Sequence, residues 1–161
     1  MTMKTAVIYA STHGTTEKVA TQLKEILGNE NTDIINLKKQ KKIDLSQFNK
    51  VIIGGSIHAG NIQMKIKKFL KDNKEILLKK ELGLYLCCMN KPDYEKQFNN
   101  AFPEELRQHA KATQIMGGEF IFEKMNFFQK AIVKKVSGFS RSFSTIDDAK
   151  IKEFASKMQS A

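Results

Sequence analysis

The 161-residue chain has no tryptophan, only two prolines, and only two cysteines, which are adjacent at Cys87 and Cys88. Successive side chains of a strand point to opposite faces of a sheet, so these cysteines predict buried thiols rather than a disulfide. No further Cys or His pair stands at metal-ligand spacing, and we therefore predict no metal site. The scarcity of proline and the absence of low-complexity tracts indicate a globular chain, whose length suits a single domain over residues 1–161.

Long apolar runs and acidic residues are also scarce. No apolar run reaches the ~20 residues of a membrane-spanning helix, and the first ten residues lack a signal-peptide core, so we expect a cytoplasmic protein. The chain carries 27 Lys and Arg against 17 Asp and Glu, a net charge of +10, which predicts a partner with an anionic surface. The basic run at residues 38–42 comes without any nucleic-acid-binding motif, so no specific nucleic acid is expected.

The chain does contain a regular alternation of short apolar runs with amphipathic stretches. Residues 15–27, for example, place Val19 and Leu23 on one helical stripe that ends at Gly28. The pattern predicts strands over 4–10, 32–37, 50–56, 82–89 and 113–122, and helices over 15–28, 64–77, 94–110 with a break at Pro103, and 147–158 with Asp147 as N-cap. Strands that are apolar throughout favour a parallel sheet covered on both faces. We therefore predict a doubly wound, three-layer α/β sandwich.

The first predicted strand runs directly into a loop of small hydroxyl residues around one glycine. The candidate site residues of this loop are Ser11, Thr12, His13, Gly14, Thr15 and Thr16. Open α/β sheets bind ligands at the carboxyl ends of their strands, and the free amides of a helix N-terminus favour an anion. A phosphate is the predicted ligand, although the hydroxyl groups could instead serve only to cap the helix. The loop lacks the lysine of a Walker A motif and the three glycines of a dinucleotide fingerprint, which disfavours nucleoside triphosphates and NAD.

The loop sequence STHGTT at residues 11–16 resembles the phosphate-binding loop of flavodoxins, roughly [ST]-x-T-G-x-T, with His13 at a position that is usually Thr. The order of predicted elements is similar to the flavodoxin-like fold across nearly the whole chain. This resemblance implies the strand order 2-1-3-4-5 and FMN as the cofactor, with its phosphate on residues 11–16. It also implies that the flavin ring lies between the loops after the third and fourth strands. The residues placed there are Ser56, Ile57, His58, Ala59, Gly60 and Asn61 in the first loop, and Met89, Asn90 and Tyr94 in the second.

Three residues of these loops carry separate hypotheses. Gly60 is the candidate for a peptide that changes orientation when the flavin is reduced, since glycine tolerates either conformation. His58 could cover a face of the ring or lie on the surface, and Tyr94 could stack on the ring or pack against the following helix. No residue is predicted to be catalytic.

The segment at residues 119–145 is longer than a connection between the fifth strand and the last helix needs. A helix from about 124 to 136 would carry an apolar stripe beside lysines, as interfacial membrane helices do. The residues concerned are Lys124, Phe128, Lys130, Lys134 and Lys135. The alternative is a long helix that packs on the sheet with solvated lysines.

This inserted segment, together with GGSIHAG at residues 54–60, resembles the flavodoxin-domain proteins that include menaquinone-dependent protoporphyrinogen dehydrogenases. The corresponding loop of those enzymes typically has arginine where this chain has His58. The resemblance implies an FMN-binding oxidoreductase that passes electrons from a porphyrinogen or similar substrate to a quinone, peripheral to the inner face of the cell membrane. Two other hypotheses stay open. One is a soluble flavodoxin-type electron carrier or FMN-dependent quinone reductase, and the other is an interaction domain without flavin.

Overall fold

A parallel sheet forms the centre of the fold in the computed structural model, which describes residues 3–11, 14–89, 91–120, 131 and 143–160. The described strands are β1 (Thr5–Tyr9), β2 (Thr32–Asn36), β3 (Lys50–His58), β4 (Asn61–Ile62), β5 (Glu81–Cys87), β6 (Ala112–Ile115), β7 (Glu119–Phe120) and β8 (Phe143–Ser144). Five of them pair in parallel in the order β2-β1-β3-β5-β6. The predicted order 2-1-3-4-5 of parallel strands is therefore confirmed, and β4 adds only a short antiparallel arm on β3.

Helices cover both faces of this sheet. They are α1 (Thr15–Leu27), α2 (Met64–Asp72), α3 (Lys74–Leu77), α4 (Tyr94–Ala101), α5 (Glu104–His109) and α6 (Asp148–Gln159). One apolar core lies between the sheet and helices α1 and α6, with Leu23 and Phe154 fully buried, and the other lies under α2 to α5, with Leu70 and Leu106 buried. The predicted three-layer sandwich is confirmed, because alternate residues of each strand supply the two cores.

The adjacent cysteines illustrate this alternation. Cys87 belongs to the core under α1 and α6, while Cys88 belongs to the opposite core, and both are free and buried. Burial raises the pKa of the Cys88 thiol to about 12 and raises that of Cys87 as well. The prediction of two buried, unpaired thiols is confirmed, and burial keeps both in the unreactive protonated form.

Several predicted boundaries need correction. The helix predicted over 64–77 is two helices, because α2 ends at Asp72 and the side chain of its C-cap residue, Asn73, donates to the carbonyl of Phe69 at 2.9 Å. The strand predicted over 113–122 ends at Ile115. Gly117 then takes a φ of 89°, and β7 pairs with β8 in a separate two-stranded sheet. The third strand continues to residue 58, so Ser56, Ile57 and His58 lie in β3 rather than in a loop.

The two predicted helix signals near the end of the chain have different outcomes. Asp147 caps α6 as predicted, since its carboxylate accepts hydrogen bonds from the amides of Ala149 and Lys150. The helix predicted over 124–136 lies outside the described residues apart from position 131, so its membrane contact stays a prediction. Among the described residues, no helix is both long and apolar enough to cross a membrane.

Candidate functional site

The hydroxyl-rich loop lies at the carboxyl end of β1 and leads directly into α1. Gly14 is the N-cap of α1 with a φ of 91°, a left-handed conformation that glycine adopts without strain. Its amide donates to the hydroxyl oxygen of Ser11 at 2.8 Å, which closes the loop. Thr12 and His13 lie outside the described residues, so their proposed contacts stay predictions.

Thr16 provides the clearest test of whether this loop fits a phosphate. The residue is 1% exposed, and its hydroxyl has no hydrogen-bond partner among the described residues, although it lies near the Cys87 thiol, a weak hydrogen-bonding group. Buried hydroxyl groups are rarely left unpaired. Gly14 has no side chain to cap the amides of the first turn of α1. Among the described residues, the Thr16 hydroxyl therefore has no strong partner and the start of α1 has no side-chain cap, an arrangement that fits the phosphate of FMN.

Two tyrosines under α1 hold its first turn in place, and sequence reasoning missed both. The Tyr85 hydroxyl donates to the carbonyl of Thr16 at 3.1 Å, and the Tyr9 hydroxyl donates to the carboxylate of Glu17 at 3.1 Å. Burial, and then the Glu17 carboxylate, raise the pKa of Tyr9 to about 12, while burial raises that of Tyr85. Both phenols therefore stay protonated donors at neutral pH.

Gly54 makes room for these rings. It pairs with Tyr9 on one side and Tyr85 on the other, and a Cβ at this position would overlap the ring of Tyr85. A glycine in the middle of an aliphatic strand is the one sequence signal that could have indicated a close approach here.

Glu119 is another residue that the sequence did not reveal. Its carboxylate accepts from the Thr15 hydroxyl at 3.3 Å and forms an ion pair with Lys18 at 3.1 Å, while its side chain is only 5% exposed. A carboxylate near the start of a helix interacts favourably with the helix dipole. One predicted phosphate ligand, Thr15, is therefore hydrogen-bonded to an acid that comes from the inserted segment.

The first loop that was predicted to lie near the flavin ring, residues 56–61, is part of a β-hairpin rather than an open loop. Ala59 and Gly60 form its turn with φ values of 51° and 81°, and β3 and β4 pair on either side. Two consecutive positive φ angles are typical of a two-residue hairpin turn. The turn is held by Asn61, whose amide donates to the carbonyl of Ala59 at 3.3 Å. The space around Gly60 is open, so the glycine is required by its backbone angle and not by close packing.

The other residues of this region form a polar network. The Ser56 hydroxyl lies 3.0 Å from Nε2 of His58, which is exposed. Gln63, which sequence reasoning also missed, connects Ser56 to the end of β1. The assignment of residues 56–61 to the flavin ring stays a prediction.

The second loop that was predicted to lie near the flavin ring follows β5. Tyr94 begins α4 and packs partly against the core, and burial raises its pKa, opposed in part by a hydrogen bond with Thr145. Met89 and Tyr94 line a cavity of about 190 Å³ together with Lys91, Gly117, Thr145, Asp147 and Lys150. Asn90 lies outside the described residues. The partial packing of Tyr94 against the core supports the packing alternative, and stacking of Tyr94 on flavin stays a prediction.

These features define an α/β protein with a candidate anion site at the switch point of a parallel sheet, where the strand order reverses beside β1. A family model described as a flavodoxin domain matches residues 6–144, and the chain belongs to this family. Membership supports FMN as the cofactor and a redox function, in agreement with the prediction from the phosphate loop. No curated protein sequence gives a significant match.

Solved structures agree on the fold. A short-chain flavodoxin associated with a non-canonical PDU bacterial microcompartment superposes with a TM-score of 0.61 at 14% identity, over 98% of this chain and 97% of that one. Two-electron reduced flavodoxin from Megasphaera elsdenii gives a TM-score of 0.55 at 14% identity, over 96% and 97% of the two chains. Rubredoxin oxygen:oxidoreductase from Desulfovibrio gigas gives a TM-score of 0.55 at 16% identity, and the match spans only 38% of that longer chain. At these identities the likeness extends to the fold alone.

Proposed function

We propose that the chain is an FMN-dependent redox protein, in which Ser11 and residues 14–16 hold the FMN phosphate and the hairpin at 56–61 lies against the flavin ring. The observation that carries this proposal is the buried hydroxyl of Thr16 at the start of α1: among the described residues only the weak Cys87 thiol lies near it, and none of them caps the helix with a side chain. A phosphate there would accept from this hydroxyl and from the amides of the first turn. Bound FMN would supply the electron-carrying chemistry, and the chain would bind and orient it.

The phosphate assignment is tested by comparing FMN with riboflavin, which lacks the phosphate, in titrations followed by flavin fluorescence. Thr16→Ala should weaken FMN roughly tenfold or more, because a hydrogen bond to a charged group contributes ~1.5 to 3 kcal/mol. Thr21→Ala is the matched control, since the Thr21 hydroxyl bonds the carbonyl of Glu17 on the exposed side of the same helix. Equal affinity of the native protein for FMN and riboflavin would contradict the assignment.

We further propose that the electrons come from a reduced substrate such as a porphyrinogen and pass to a quinone. This proposal is supported by the sequence resemblance of the hairpin and of the inserted segment, and by the net charge of +10. The inserted segment would contact an anionic membrane surface through Lys124, Phe128, Lys130, Lys134 and Lys135. Its support is the sequence pattern, since residues 124–130 and 132–136 lie outside the described part of the chain.

The membrane contact is tested by sedimentation with anionic lipid vesicles. Changing Lys130, Lys134 and Lys135 to Glu should release the protein, because each lysine near such a surface contributes on the order of 1 kcal/mol. The same three charge reversals at Lys38, Lys39 and Lys41, in the loop after β2, are the control. Equal loss of binding in the two variants would indicate net charge alone, and retention by the first variant would rule out this contact.

A protein electron carrier is the second candidate, and the surface of α2 favours it. Met64, the first residue of α2, is 73% exposed directly after the hairpin, and Lys65, Lys68 and Lys71 are exposed on the same short helix. An apolar centre with a cationic rim suits an acidic redox protein. Anaerobic stopped-flow reoxidation of the reduced protein by menadione and by an acidic ferredoxin separates the two candidates. The carrier requires the faster rate with ferredoxin, and Lys65→Glu/Lys68→Glu should slow that reaction alone.

A further inference from the structure

Gln63 lies between the hairpin and α2, and its backbone and its side chain make hydrogen bonds in different parts of the fold. Its carbonyl accepts hydrogen bonds from Ile66 at 3.0 Å and Lys67 at 3.2 Å, so the backbone starts α2. Its side chain takes no part in capping that helix. The carboxamide turns instead toward the ends of β1 and β3.

The carboxamide makes three hydrogen bonds there. Its nitrogen donates to the carbonyl of Ala10 at 3.0 Å and to the hydroxyl of Ser56 at 2.7 Å, while its oxygen accepts from the amide of Ser56 at 2.9 Å. A carbonyl only accepts and an amide only donates, so the orientation of the carboxamide is determined by its partners. Both of its hydrogens and its oxygen are thus used.

These bonds stand where a regular ladder would otherwise continue. The pairing of β1 with β3 ends at Tyr9 and Gly54. The carbonyl of Tyr9 accepts from Leu37 on the β2 side, so the carbonyl of Ala10 faces β3. In a continued parallel ladder it would accept directly from Ser56. Gln63 inserts its carboxamide between these two backbone groups and satisfies both.

The two strand ends that Gln63 connects are the starts of the two predicted cofactor loops. Ala10 immediately precedes the phosphate loop, and Ser56 is the first residue predicted near the flavin ring. One carboxamide therefore sets the distance by which β1 and β3 separate at this edge. It also leaves the hydrogen of the Ser56 hydroxyl free to donate to Nε2 of His58, 3.0 Å away.

We propose that Gln63 is a positioning residue: its carboxamide sets the separation between the phosphate loop and the hairpin that simultaneous binding of the FMN phosphate and ring requires. This inference rests on the proposed FMN site and extends it to a residue whose described side-chain hydrogen bonds are with Ala10 and Ser56. A ligand that engages both loops depends on their spacing, whereas riboflavin, without a phosphate, depends on it much less.

Gln63→Glu tests this because an ionised carboxylate cannot donate to the Ala10 carbonyl or the Ser56 hydroxyl, whereas a protonated one can donate to one of them. The measurement is the dissociation constant of FMN and of riboflavin for the native protein and the variant, at about pH 4 and about pH 8, on either side of the ordinary pKa of a Glu, ~4.3. We expect FMN to be weakened roughly tenfold or more at the higher pH, riboflavin to change much less, and the ratio of variant to native FMN affinity to recover at the lower pH.

Two further variants complete the design. Gln63→Met should weaken FMN at both pH values without recovery, because it has no group to protonate. Gln108→Glu makes the same chemical change at an exposed position of α5 and should alter neither ligand. Unfolding by urea at both pH values identifies the conditions under which each variant is folded, and affinities are compared there.

The outcomes separate the two levels of the argument. If the native protein binds FMN and Gln63→Glu binds it equally well at about pH 8, where a carboxyl is normally ionised, Gln63 does not position the loops. Equal weakening of FMN and riboflavin would also overturn the proposal, since it would indicate general damage to the fold. If the native protein binds no FMN, the proposed function fails, and the role of Gln63 fails with it.

Discussion

Gly54→Ala should disturb the core and the phosphate loop together. The added Cβ would overlap the ring of Tyr85, which is fully buried and cannot turn into solvent. Overpacking of this kind costs ~1 to 3 kcal/mol. If the ring moves, the Tyr85 hydroxyl loses its bond to the Thr16 carbonyl, and an unsatisfied buried group costs a further ~1 to 3 kcal/mol. We therefore expect a loss of ~2 to 6 kcal/mol in the free energy of unfolding, a large part of the ~5 to 15 kcal/mol typical of a domain.

The measurement is urea unfolding followed by circular dichroism, together with an FMN titration under conditions where the variant is folded. Gly83→Ala is the matched control, because it adds the same methyl group to the neighbouring strand β5. There the Cβ would lie 2.8 Å from the ring tip of Phe154 and 2.9 Å from the sulfur of Met158, a smaller overlap than the 1.9 Å approach to Tyr85 at Gly54. The control should lose less stability and keep its affinity for FMN.

A double-mutant cycle identifies the cause. Tyr85→Leu removes the ring atoms that the new Cβ would meet, so Gly54→Ala should cost much less in the Tyr85→Leu background than in the native one. Contacting residues typically show coupling energies of ~0.5 to 3 kcal/mol. If Gly54→Ala changes the free energy of unfolding by less than ~0.5 kcal/mol, as an average surface substitution does, the close approach of Gly54 and Tyr85 is not as described. Additive effects in the cycle would point to the same conclusion.

Three further predictions concern the site and the thiols. Gly60→Ala should shift the reduction potentials of the bound flavin more than the affinity for oxidised FMN. The reason is that the turn has a φ of 81° at Gly60, and the peptide is expected to change orientation when the flavin is reduced. Unchanged potentials in a redox titration would leave this glycine only its role in the turn. Glu119→Gln should tighten FMN binding roughly fivefold, since it removes a buried negative charge near the phosphate loop and frees Lys18; weaker binding in the same titration would mean that the carboxylate supports the loop. Cys87 and Cys88 should not react with a thiol reagent while the protein is folded, and rapid labelling at neutral pH would contradict this. Urea titrations should show the free energy of unfolding falling as the pH rises from about 9 toward 12. The reason is that burial raises the pKa of Cys88 from 9.0 to about 12, so the thiol of the unfolded chain ionises first.

The strands of the sheet and the hydroxyl-rich loop after β1 could be located from the sequence alone. Periodicity locates β1 and α1 to within a residue or two, because an apolar run and a helical stripe are local patterns that burial enforces. The hydroxyl residues around Gly14 predict an anion site, since the amides of a helix N-terminus need no distant partner. Cys87 and Cys88 likewise show their burial in the sequence, because neighbours in a strand alternate between the two cores.

The boundaries that failed depended on contacts made later in the chain or on one backbone angle. β6 ends near Gly117, where the backbone approaches residue 145 too closely for a Cβ, and no periodicity of residues 113–122 records that contact. The extension of β3 to His58 depends on the hairpin with β4, which a count of apolar residues does not detect.

The side chains that support the candidate site became apparent only in the folded structure. Glu119 lies 104 positions from Thr15 and reaches it because the chain after β6 returns over the start of α1. Gln63 reads as an ordinary polar residue between two elements, and its role appears only where β1 and β3 separate. Local patterns specify elements because backbone geometry repeats over a few residues, whereas a polar contact between distant positions depends on how those elements pack. The elements and the anion loop could therefore be predicted from sequence, and the residues that hold the loop in place could not.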